Sequence, residues 1–344
     1  MLKSIKELFE TNTGKISDKW SLYLNEYDNI FKQFQLNHIN LLEIGVQNGG
    51  SLEIWAKYFN NAINIIGVDI DERCRNLNFE DNRISLVIGN SIDQTAQTEV
   101  LSMLAETDCS ELDIIIDDGS HISQDIISNF LIWFPYLKPK GIYIIEDLHA
   151  SYWKEFGGGL TNPYSAMSFL KKLCDVINFE HWREPITLED FFIEINPNYK
   201  HNLENDLKYI HSIKFVNSLC IIKKDISDNN TLGKRIILGT QEEVTNNIKS
   251  FNQTLISDVY KYKKTENKFE ELNSKIASLE NELALKDTEI KNLSSELANK
   301  DSFIQELNSK IASLENELIS VLLSRSWRYT RPIRKLLHKL KGSR

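Results

Sequence analysis

Leu41–Ser51 reads LLEIGVQNGGS, and this segment decides the fold. A short apolar run leads into a turn that contains Gly45, Gly49 and Gly50, which predicts a buried strand followed by a tight turn into a helix. Glycines in such a turn let the backbone approach a bound ligand closely, because they carry no Cβ atom. The segment lacks the GxGxxG spacing of a dinucleotide-binding turn.

Further apolar runs follow at regular intervals and have the length and composition of buried strands. They are rich in Ile, Leu and Val on both faces, as expected of a parallel sheet that is covered by helices on both sides. The predicted strands are Asn40–Val46, Asn64–Asp69, Ile84–Ile88, Leu112–Asp117 and Gly141–Glu146, separated by helical patterns at Gly50–Phe59, Asp93–Ala105 and Ile122–Tyr136. Tyr209–Lys223 is predicted to form an antiparallel hairpin at one sheet edge. The sequence therefore predicts an α/β fold with a doubly wound, mostly parallel sheet.

The C-terminal part has a different pattern, because apolar residues recur at alternating spacings of three and four from Phe269 to Val321. ELNSKIASLENEL occurs at Glu271–Leu283 and again at Glu306–Leu318. Such a long, unbroken period predicts a long α-helical coiled coil that self-associates, rather than a helix docked on the domain. Ile recurs in one seam and Leu in the other, which favours a parallel dimer. Lysines in the second seam leave a trimer open.

The final residues combine positive charge with apolar side chains. Between Ile319 and Arg344 there are eight Lys or Arg residues and no acidic residue, interleaved with Trp, Tyr, Leu and Ile. This composition predicts an amphipathic tail that lies on an anionic membrane surface, and a solvated basic tail is the alternative. The run SRSWRYTRPIR is similar to a tail that follows coiled coils in bacterial surface-polysaccharide glycosyltransferases.

These patterns divide the chain into five segments. They are an N-terminal helical cap (1–39), the α/β domain (40–224), a linker (225–264), the coiled coil (265–321) and the basic amphipathic tail (322–344). A formal net charge of −9 argues against a nucleic-acid partner, because binding a polyanion needs a basic surface. No apolar run reaches the roughly 18 residues that span a bilayer. We expect a cytoplasmic protein that can lie peripherally on the inner membrane face.

Acidic residues near the ends of the first two strands indicate a nucleoside-type cofactor. Glu43 stands two residues before Gly45, which is the form that this turn takes in methyltransferases. Asp69 ends the second strand, where a carboxylate can accept hydrogen bonds from both ribose hydroxyls. No basic residue directly follows Asp69, which disfavours a ribose that carries a 2′-phosphate.

The fourth and fifth strands each end in an acidic pair. Asp117 and Asp118 lie in IIIDDGSHIS, and Glu146 and Asp147 lie in YIIEDLHASYW. Parallel strands bring these pairs to one edge of the sheet, and their mutual repulsion requires a cation. Oxygen ligands suit Mg²⁺ or Mn²⁺. The alternative is that such acids cap the following helices, as Asp117 could cap a helix that begins near Ile122.

His121 lies three residues after the first acidic pair and is the candidate general base, because an imidazole has a pKa near 6.5. His149 is the competing candidate. Together with Asp118, these two histidines could instead form the two-histidine, one-carboxylate iron site of a hydroxylase. That enzyme class is one alternative, and a coiled-coil scaffold whose catalytic domain has lost its activity is another.

The segments LLEIGVQNGGSLEIW, IIGVDID, IIIDDGSHIS and IIEDLHASYWKEFGGG together resemble the class I S-adenosylmethionine-dependent macrolide-sugar O-methyltransferases of the mycinamicin and tylosin type, from about Ser17 to Lys224. The resemblance implies methyl transfer from S-adenosyl-L-methionine to a sugar hydroxyl of a surface glycan or a glycosylated metabolite. It implies Mg²⁺ or Mn²⁺ at Asp118, Glu146 and Asp147, with His121 as the catalytic base. The cofactor-binding residues are then Ser17, Glu43, Gly45, Ser51, Asp69 and Asp117.

The sequence also departs from that family. It has no counterpart of the extra N-terminal domain that those enzymes carry, and those enzymes lack the coiled coil and the basic tail. The resemblance therefore implies the same reaction for this chain, but it does not imply the macrolide substrate.

Overall fold

The structure, a computed structural model, describes residues 3–107, 110–182, 186–193, 207–244 and 247–341. The chain divides into two compact units between Tyr260 and Lys261. The first unit contains a mixed sheet with helices, and the second contains most of one long helix.

Seven strands in the described part of the first unit form one sheet, in the order β3-β2-β1-β4-β5-β7-β6. The elements are α1 (Ile5–Glu10), α2 (Ser21–Phe31), β1 (Asn40–Ile44), α3 (Gly50–Tyr58), β2 (Asn64–Asp69), β3 (Ile84–Ile88), α4 (Gln94–Ala105), β4 (Leu112–Asp117), α5 (Ser123–Trp133), β5 (Leu137–Ile145), α6 (Ala166–Ile177), α7 (Leu188–Ile193), β6 (Ile210–Val216) and β7 (Leu219–Lys224). Strands β1 to β5 are parallel, and β7 pairs antiparallel with both β5 and β6. The predicted doubly wound α/β fold and its edge hairpin are confirmed.

The order of the strands creates a crevice beside β1. The chain runs outward from β1 to β3, then returns to place β4 on the other side of β1. The connections from β1 and β4 therefore leave in opposite directions, and the carboxyl ends of the two strands open into a gap where ligands bind in folds of this kind.

Apolar side chains pack on both faces of the sheet, because successive residues of a strand point to opposite sides. All five residues of β1 are buried. Leu42 and Ile44 belong to the cluster with Phe130 of α5, whereas Leu41 belongs to the cluster with Trp55 of α3. Burial of each large apolar side chain contributes roughly 1.5–3 kcal/mol. The alternation also sends Glu43 to the face that α1, α2 and α3 cover.

Some element bounds differ from the prediction. β1 ends at Ile44 because Gly45 turns the backbone at a φ of 91°. β5 begins four residues earlier than predicted, at Leu137. The long helix α8 (Ile256–Leu323) begins inside the segment predicted as a linker, in which the preceding residues form short 3-10 turns at Ser227–Asn230 and Ile248–Phe251.

The second unit consists of α8 from Lys261 onward and the two helices that follow it, α9 (Arg325–Tyr329) and α10 (Arg331–Lys341). Ser324 separates α8 from α9, and its hydroxyl accepts a hydrogen bond from the amide of Trp327. The seam side chains that are described are exposed, for example Leu293 at 58%. Phe269, the first predicted seam residue, has a side chain outside the described set. Among the described residues, no helix is both long and apolar enough to cross a membrane.

Candidate active site

A cavity of about 920 Å³ lies at the carboxyl ends of the parallel strands. Most of the predicted site residues line it: Ser17, Gly45, Ser51, Asp69, Asp118, His121, Glu146 and Asp147. The other two, Glu43 and Asp117, are buried directly behind residues of its wall. The cavity thus brings the predicted cofactor-binding and metal-binding residues to one place.

The glycine-rich turn after β1 is fixed from two sides. A Cβ atom at Gly45 would overlap the carbonyl oxygen of Asp118, so the turn packs directly on the end of β4. From the other side, Oδ2 of Asp69 accepts hydrogen bonds from the amides of Val46 (2.8 Å) and Gln47 (2.9 Å). Asp69, predicted as a ribose ligand, therefore also holds the turn that forms the cavity floor.

Glu43 is completely buried beneath this turn. Its Oε2 accepts hydrogen bonds from Ser51 Oγ (2.8 Å) and Trp55 Nε1 (3.2 Å). Its Oε1 has no hydrogen-bond partner among the described residues and lies 3.7 Å from Nζ of Lys19. Burial raises the pKa of Glu43, and the Lys19 ammonium opposes the rise.

Lys19 supplies a cation that the sequence analysis did not assign. Its side chain is 2% exposed, and its ammonium contacts the carboxylate of Asp118 and donates to Glu146 Oε1 at 2.7 Å. Burial lowers the pKa of Lys19, but the carboxylates of Glu146, Asp118 and Glu43 outweigh burial and raise it well above its usual range. The cation that the repulsion between carboxylates requires is thus a side chain of the chain itself.

Three aromatic residues next to Lys19 hold the same carboxylates. Trp20 Nε1 donates to Asp147 Oδ1 at 2.9 Å, and the hydroxyl of Tyr23 lies 3.0 Å from the same oxygen. The hydroxyl of Tyr27 bonds to Glu146. Positions 23 and 27 share one face of α2, because residues four apart lie one above the other on a helix. That spacing, directly after Lys19 and Trp20, is the signal by which the sequence could have indicated these contacts.

We call the carboxylates of Asp118, Glu146 and Asp147 the acidic centre. Possible ligand atoms of Asp118, His121 and Asp147 lie within 4.8 Å of one another, and His121 Nε2 is 3.7 Å from Asp147 Oδ2. The two carboxylates offer oxygen ligands of the kind that suits Mg²⁺ or Mn²⁺, and the imidazole of His121 lies beside them. Glu146 lies beside this group and is held by Lys19 and Tyr27. The residues therefore fit a divalent cation, and the Lys19 ammonium marks where positive charge is stabilised.

His121 and Asp147 also have an unusual backbone conformation. Their φ angles are 58° and 53°, and Gln47, which lines the same cavity, has a φ of 52°. Residues other than glycine rarely adopt positive φ, and where they do the backbone is held by its surroundings, often at functional sites. The two residues are thereby turned into the cavity at the ends of β4 and β5.

Asp117 does not cap the following helix. Helix α5 has no side-chain cap at its N-terminus, and Asp117 Oδ2 instead accepts a hydrogen bond from Asn129 Nδ2 at 3.2 Å. Asn129 in turn accepts a hydrogen bond from Ser91 Oγ at 2.7 Å. Burial raises the pKa of Asp117 to about 7, although Asn129 and the amide of Gly119 oppose the rise. Asp117 is therefore a buried link between β4 and the cavity wall.

His149, the competing base, also approaches Asp147, but its Nδ1 is engaged by Ser218. Its Nδ1 lies 2.6 Å from Ser218 Oγ and 3.9 Å from Asp147 Oδ1. Its ring packs between Trp20 and Trp153, with centroid distances of 6.0 and 4.9 Å. Within the described residues, the group that could hold a metal contains one histidine and two carboxylates, which is not the two-histidine set of an iron hydroxylase.

Comparison with protein families gives the same class as the fold. Residues 42–148 match a family model described as a methyltransferase domain. The strand order, the acid before the glycine-rich turn and the acid that ends β2 agree with this match, and the first unit has the Rossmann-like methyltransferase fold.

Several curated relatives of the chain are named O-methyltransferases. The 8-demethyl-8-alpha-L-rhamnosyl tetracenomycin-C 2'-O-methyltransferase of Streptomyces olivaceus is 34% identical over 169 residues, which are 46% of this chain and 42% of that protein. The demethylmacrocin O-methyltransferase of Streptomyces fradiae is 30% identical over 191 residues, which are 52% and 46% of the two chains. The chain therefore spans less than half the length of these curated relatives.

A solved structure supports the same relationship. The MycE methyltransferase from the mycinamycin biosynthetic pathway, in complex with Mg, SAH and mycinamycin VI, is 26% identical, with a TM-score of 0.51. The match covers 66% of this chain and 54% of that one.

Proposed function

We propose that the protein is an S-adenosylmethionine-dependent and divalent-metal-dependent O-methyltransferase that acts on a sugar hydroxyl of a glycan or a glycosylated metabolite. The observation that carries the proposal is the convergence of two sets of residues on one cavity. The glycine-rich turn with Asp69 forms one part of its wall, and the acidic centre with His121 forms another. A methyl donor and a hydroxyl acceptor could therefore meet inside it.

The cofactor side of the cavity comprises Ser17, Gly45, Ser51 and Asp69. Asp69 has the position at the end of β2 where a carboxylate meets ribose hydroxyls, and Glu43 holds Ser51 from behind. S-adenosylmethionine would supply the methyl group. The side chains of the turn would orient it, because fixing both reactants removes much of the entropic barrier.

On the acceptor side, a divalent cation held by Asp118, Glu146 and Asp147 would lower the pKa of a bound sugar hydroxyl. His121 would take the proton at Nε2, the nitrogen that lies 3.7 Å from Asp147 Oδ2. Asp147 would then stabilise the imidazolium, because the opposite charges are close. His149 is a weaker candidate for this role, since its Nδ1 is already engaged by Ser218.

The cofactor half of the proposal is tested by calorimetric titration with S-adenosylmethionine. Asp69→Ala should abolish binding, and its melting curve will show whether the protein is still folded. Asp93→Ala is the matched control, because Asp93 is exposed and its side chain makes no capping hydrogen bond. Unchanged affinity of Asp69→Ala would overturn the cofactor assignment.

The metal half is tested with a chelator. Methyl transfer to methyl α-L-rhamnoside, a simple probe of the sugar class that one relative's name gives, should stop in EDTA and return with Mg²⁺ or Mn²⁺. Full activity in EDTA would overturn metal dependence and leave the methyltransferase assignment standing. Iron found by metal analysis of the purified protein, together with no methyl transfer, would instead support the hydroxylase alternative, which would need His149 in the metal shell.

We also propose that α8 self-associates and that the tail binds an anionic surface. The described seam residues of α8 are about half exposed, and a heptad seam is stable in water when a second copy covers it. In α10, basic residues alternate with Ile333, Leu336 and Leu337, all exposed. A basic helix with one apolar face suits a membrane that carries anionic lipid, and the acceptor would then be a glycan built at that membrane.

A further inference from the structure

Lys19 contacts two of the carboxylates that are the metal ligands in the proposed function. Its ammonium contacts Oδ2 of Asp118 and Oε1 of Glu146, with Oε1 of Glu43 next nearest at 3.7 Å. Glu43 and Glu146 are 0% and 2% exposed. One ammonium is thus shared among three carboxyl groups, two of them almost completely buried, so it can balance the charge of no more than one carboxylate.

The ammonium and a divalent cation would compete for the same oxygen atoms. Mg²⁺ binds carboxylate oxygens at about 2.0–2.1 Å, so an ion on these oxygens would lie within roughly 5 Å of Nζ. At that separation, between groups that are largely buried, the repulsion between the two positive charges is strong. Both cannot keep short contacts with Asp118 and Glu146.

We propose that Lys19 is a built-in counter-ion of the acidic centre, and that its ammonium keeps the carboxylates together until a divalent cation displaces it. The proposal rests on the proposed function only for the existence of the metal site. Lys19 is thus a positioning residue: it acts on the carboxylates and not on the acceptor.

The displacement would also reach the cofactor side of the cavity. Lys19 belongs to the segment Ile16–Trp20, which lines the cavity together with the glycine-rich turn. A Cβ atom at Gly50 would overlap the backbone of Ile16, so this segment packs tightly on the start of α3. Movement of Lys19 would therefore shift a wall of the cofactor site, and metal binding should change the affinity for S-adenosylmethionine.

The test compares binding of Mn²⁺ to the wild-type protein and to Lys19→Met, followed by the electron paramagnetic resonance signal of the free ion. Neither cofactor nor acceptor is present. Methionine has a similar length and no charge, so we expect Lys19→Met to bind Mn²⁺ at least tenfold more tightly. We also expect a lower melting temperature in EDTA and a larger rise on adding Mn²⁺. The control Lys15→Met removes an ammonium that pairs with Glu53 in the same region, and it should bind Mn²⁺ as the wild type does.

A second measurement uses the wild-type protein and does not depend on the variant's folding. Acetylation of lysines is followed by mass spectrometry in EDTA and in saturating Mg²⁺, with Lys15 as the internal reference. We expect Lys19 to be protected in EDTA and to react faster in Mg²⁺. Equal protection in both conditions would overturn the displacement.

The outcomes separate this inference from the proposed function. If the wild type binds Mn²⁺ and Lys19→Met binds it equally or more weakly, Lys19 is no competitor, and the metal site stands. If only the variant binds Mn²⁺, Lys19 occupies the site permanently, which overturns the displacement and the metal-dependent reaction of the natural protein. If neither binds Mn²⁺, both proposals are overturned.

Discussion

At the scale of single residues, the site depends on how buried charges are balanced. Carboxylates from β1, β4 and β5 meet at one sheet edge, where burial alone would drive them to take up protons. In the structure, hydrogen bonds hold these carboxyl groups, and the ammonium of Lys19 balances part of their negative charge. His121 is a histidine that lines this cavity, and its Nε2 lies 3.7 Å from Asp147 Oδ2.

We predict that His121→Ala lowers the rate of methyl transfer by roughly 10²–10⁴, the usual contribution of a general base. Affinity for S-adenosylmethionine, measured by calorimetry, should stay within about twofold because the cofactor side is untouched. His149→Ala is the matched control and should keep most of the rate. A normal rate for His121→Ala together with a large loss for His149→Ala would reverse the assignment.

Asp117 gives a prediction about pH. Its pKa is about 7 in the folded protein and about 3.9 in the unfolded chain, so the folded state binds more protons between these values. The contribution of Asp117 to the free energy of unfolding should therefore fall as the pH rises from about 4 to about 7. Asp117→Asn should remove this contribution to the slope of the free energy of unfolding against pH, however stable the variant itself is. Urea unfolding in EDTA across this range measures it, and an unchanged slope in the variant would contradict it.

At the scale of elements, the turn between β1 and α3 lies between the proposed cofactor side and the proposed metal side of the cavity. It is pressed against the end of β4 at Gly45 and tied to β2 by Asp69. A glycine is required at this position, because φ is positive and no space exists for a side chain.

We predict that Gly45→Ala destabilises the protein by more than about 2 kcal/mol, from a strained backbone and an overpacked contact together. It should also weaken binding of S-adenosylmethionine. Gly89→Ala is the control in the same cavity, since a Cβ atom there meets only Ala96 at an ordinary 3.6 Å. Chemical unfolding of both variants checks the difference, and equal stability would refute the close contact at Gly45.

At the scale of the whole molecule, the two units have separate roles in our proposals. The heptads of α8, not the α/β unit, should hold subunits together. We predict that a protein truncated after Lys264 is a monomer that still binds S-adenosylmethionine, whereas the full chain is a dimer or a trimer. Multi-angle light scattering decides between these states. A truncated protein that remains dimeric would show that the α/β unit has an interface of its own.

The tail gives a second prediction at this scale. The full chain should co-sediment with vesicles that contain anionic lipid, because each Lys or Arg near such a surface contributes about 1 kcal/mol and an oligomer multiplies the anchors. Binding should weaken as the salt concentration rises. A protein ending at Leu318 should stay in the supernatant. If the full chain also stays there, the tail serves an acidic protein partner instead.

The sequence by itself determined the sheet, the glycine-rich turn and the long helix. These follow from local patterns: runs of branched apolar residues, glycines at a turn and a heptad period are each read within a few neighbouring residues. The bounds of β2, β3 and β4 agree with the prediction for this reason. The acidic pairs could also be placed on one edge, because the carboxyl ends of parallel strands share it.

Only the tertiary structure decided how the charges of the site are paired. Lys19 contacts Asp118 and Glu146, which lie 99 and 127 residues further along the chain. Tyr23 contacts Ser218, which lies 195 residues further along. No local pattern encodes such a pair, because the contact exists only once the N-terminal helix α2 has packed over the sheet. The sequence therefore predicted that a cation must balance the carboxylates, while the packing of distant segments determined that the first such cation is a lysine.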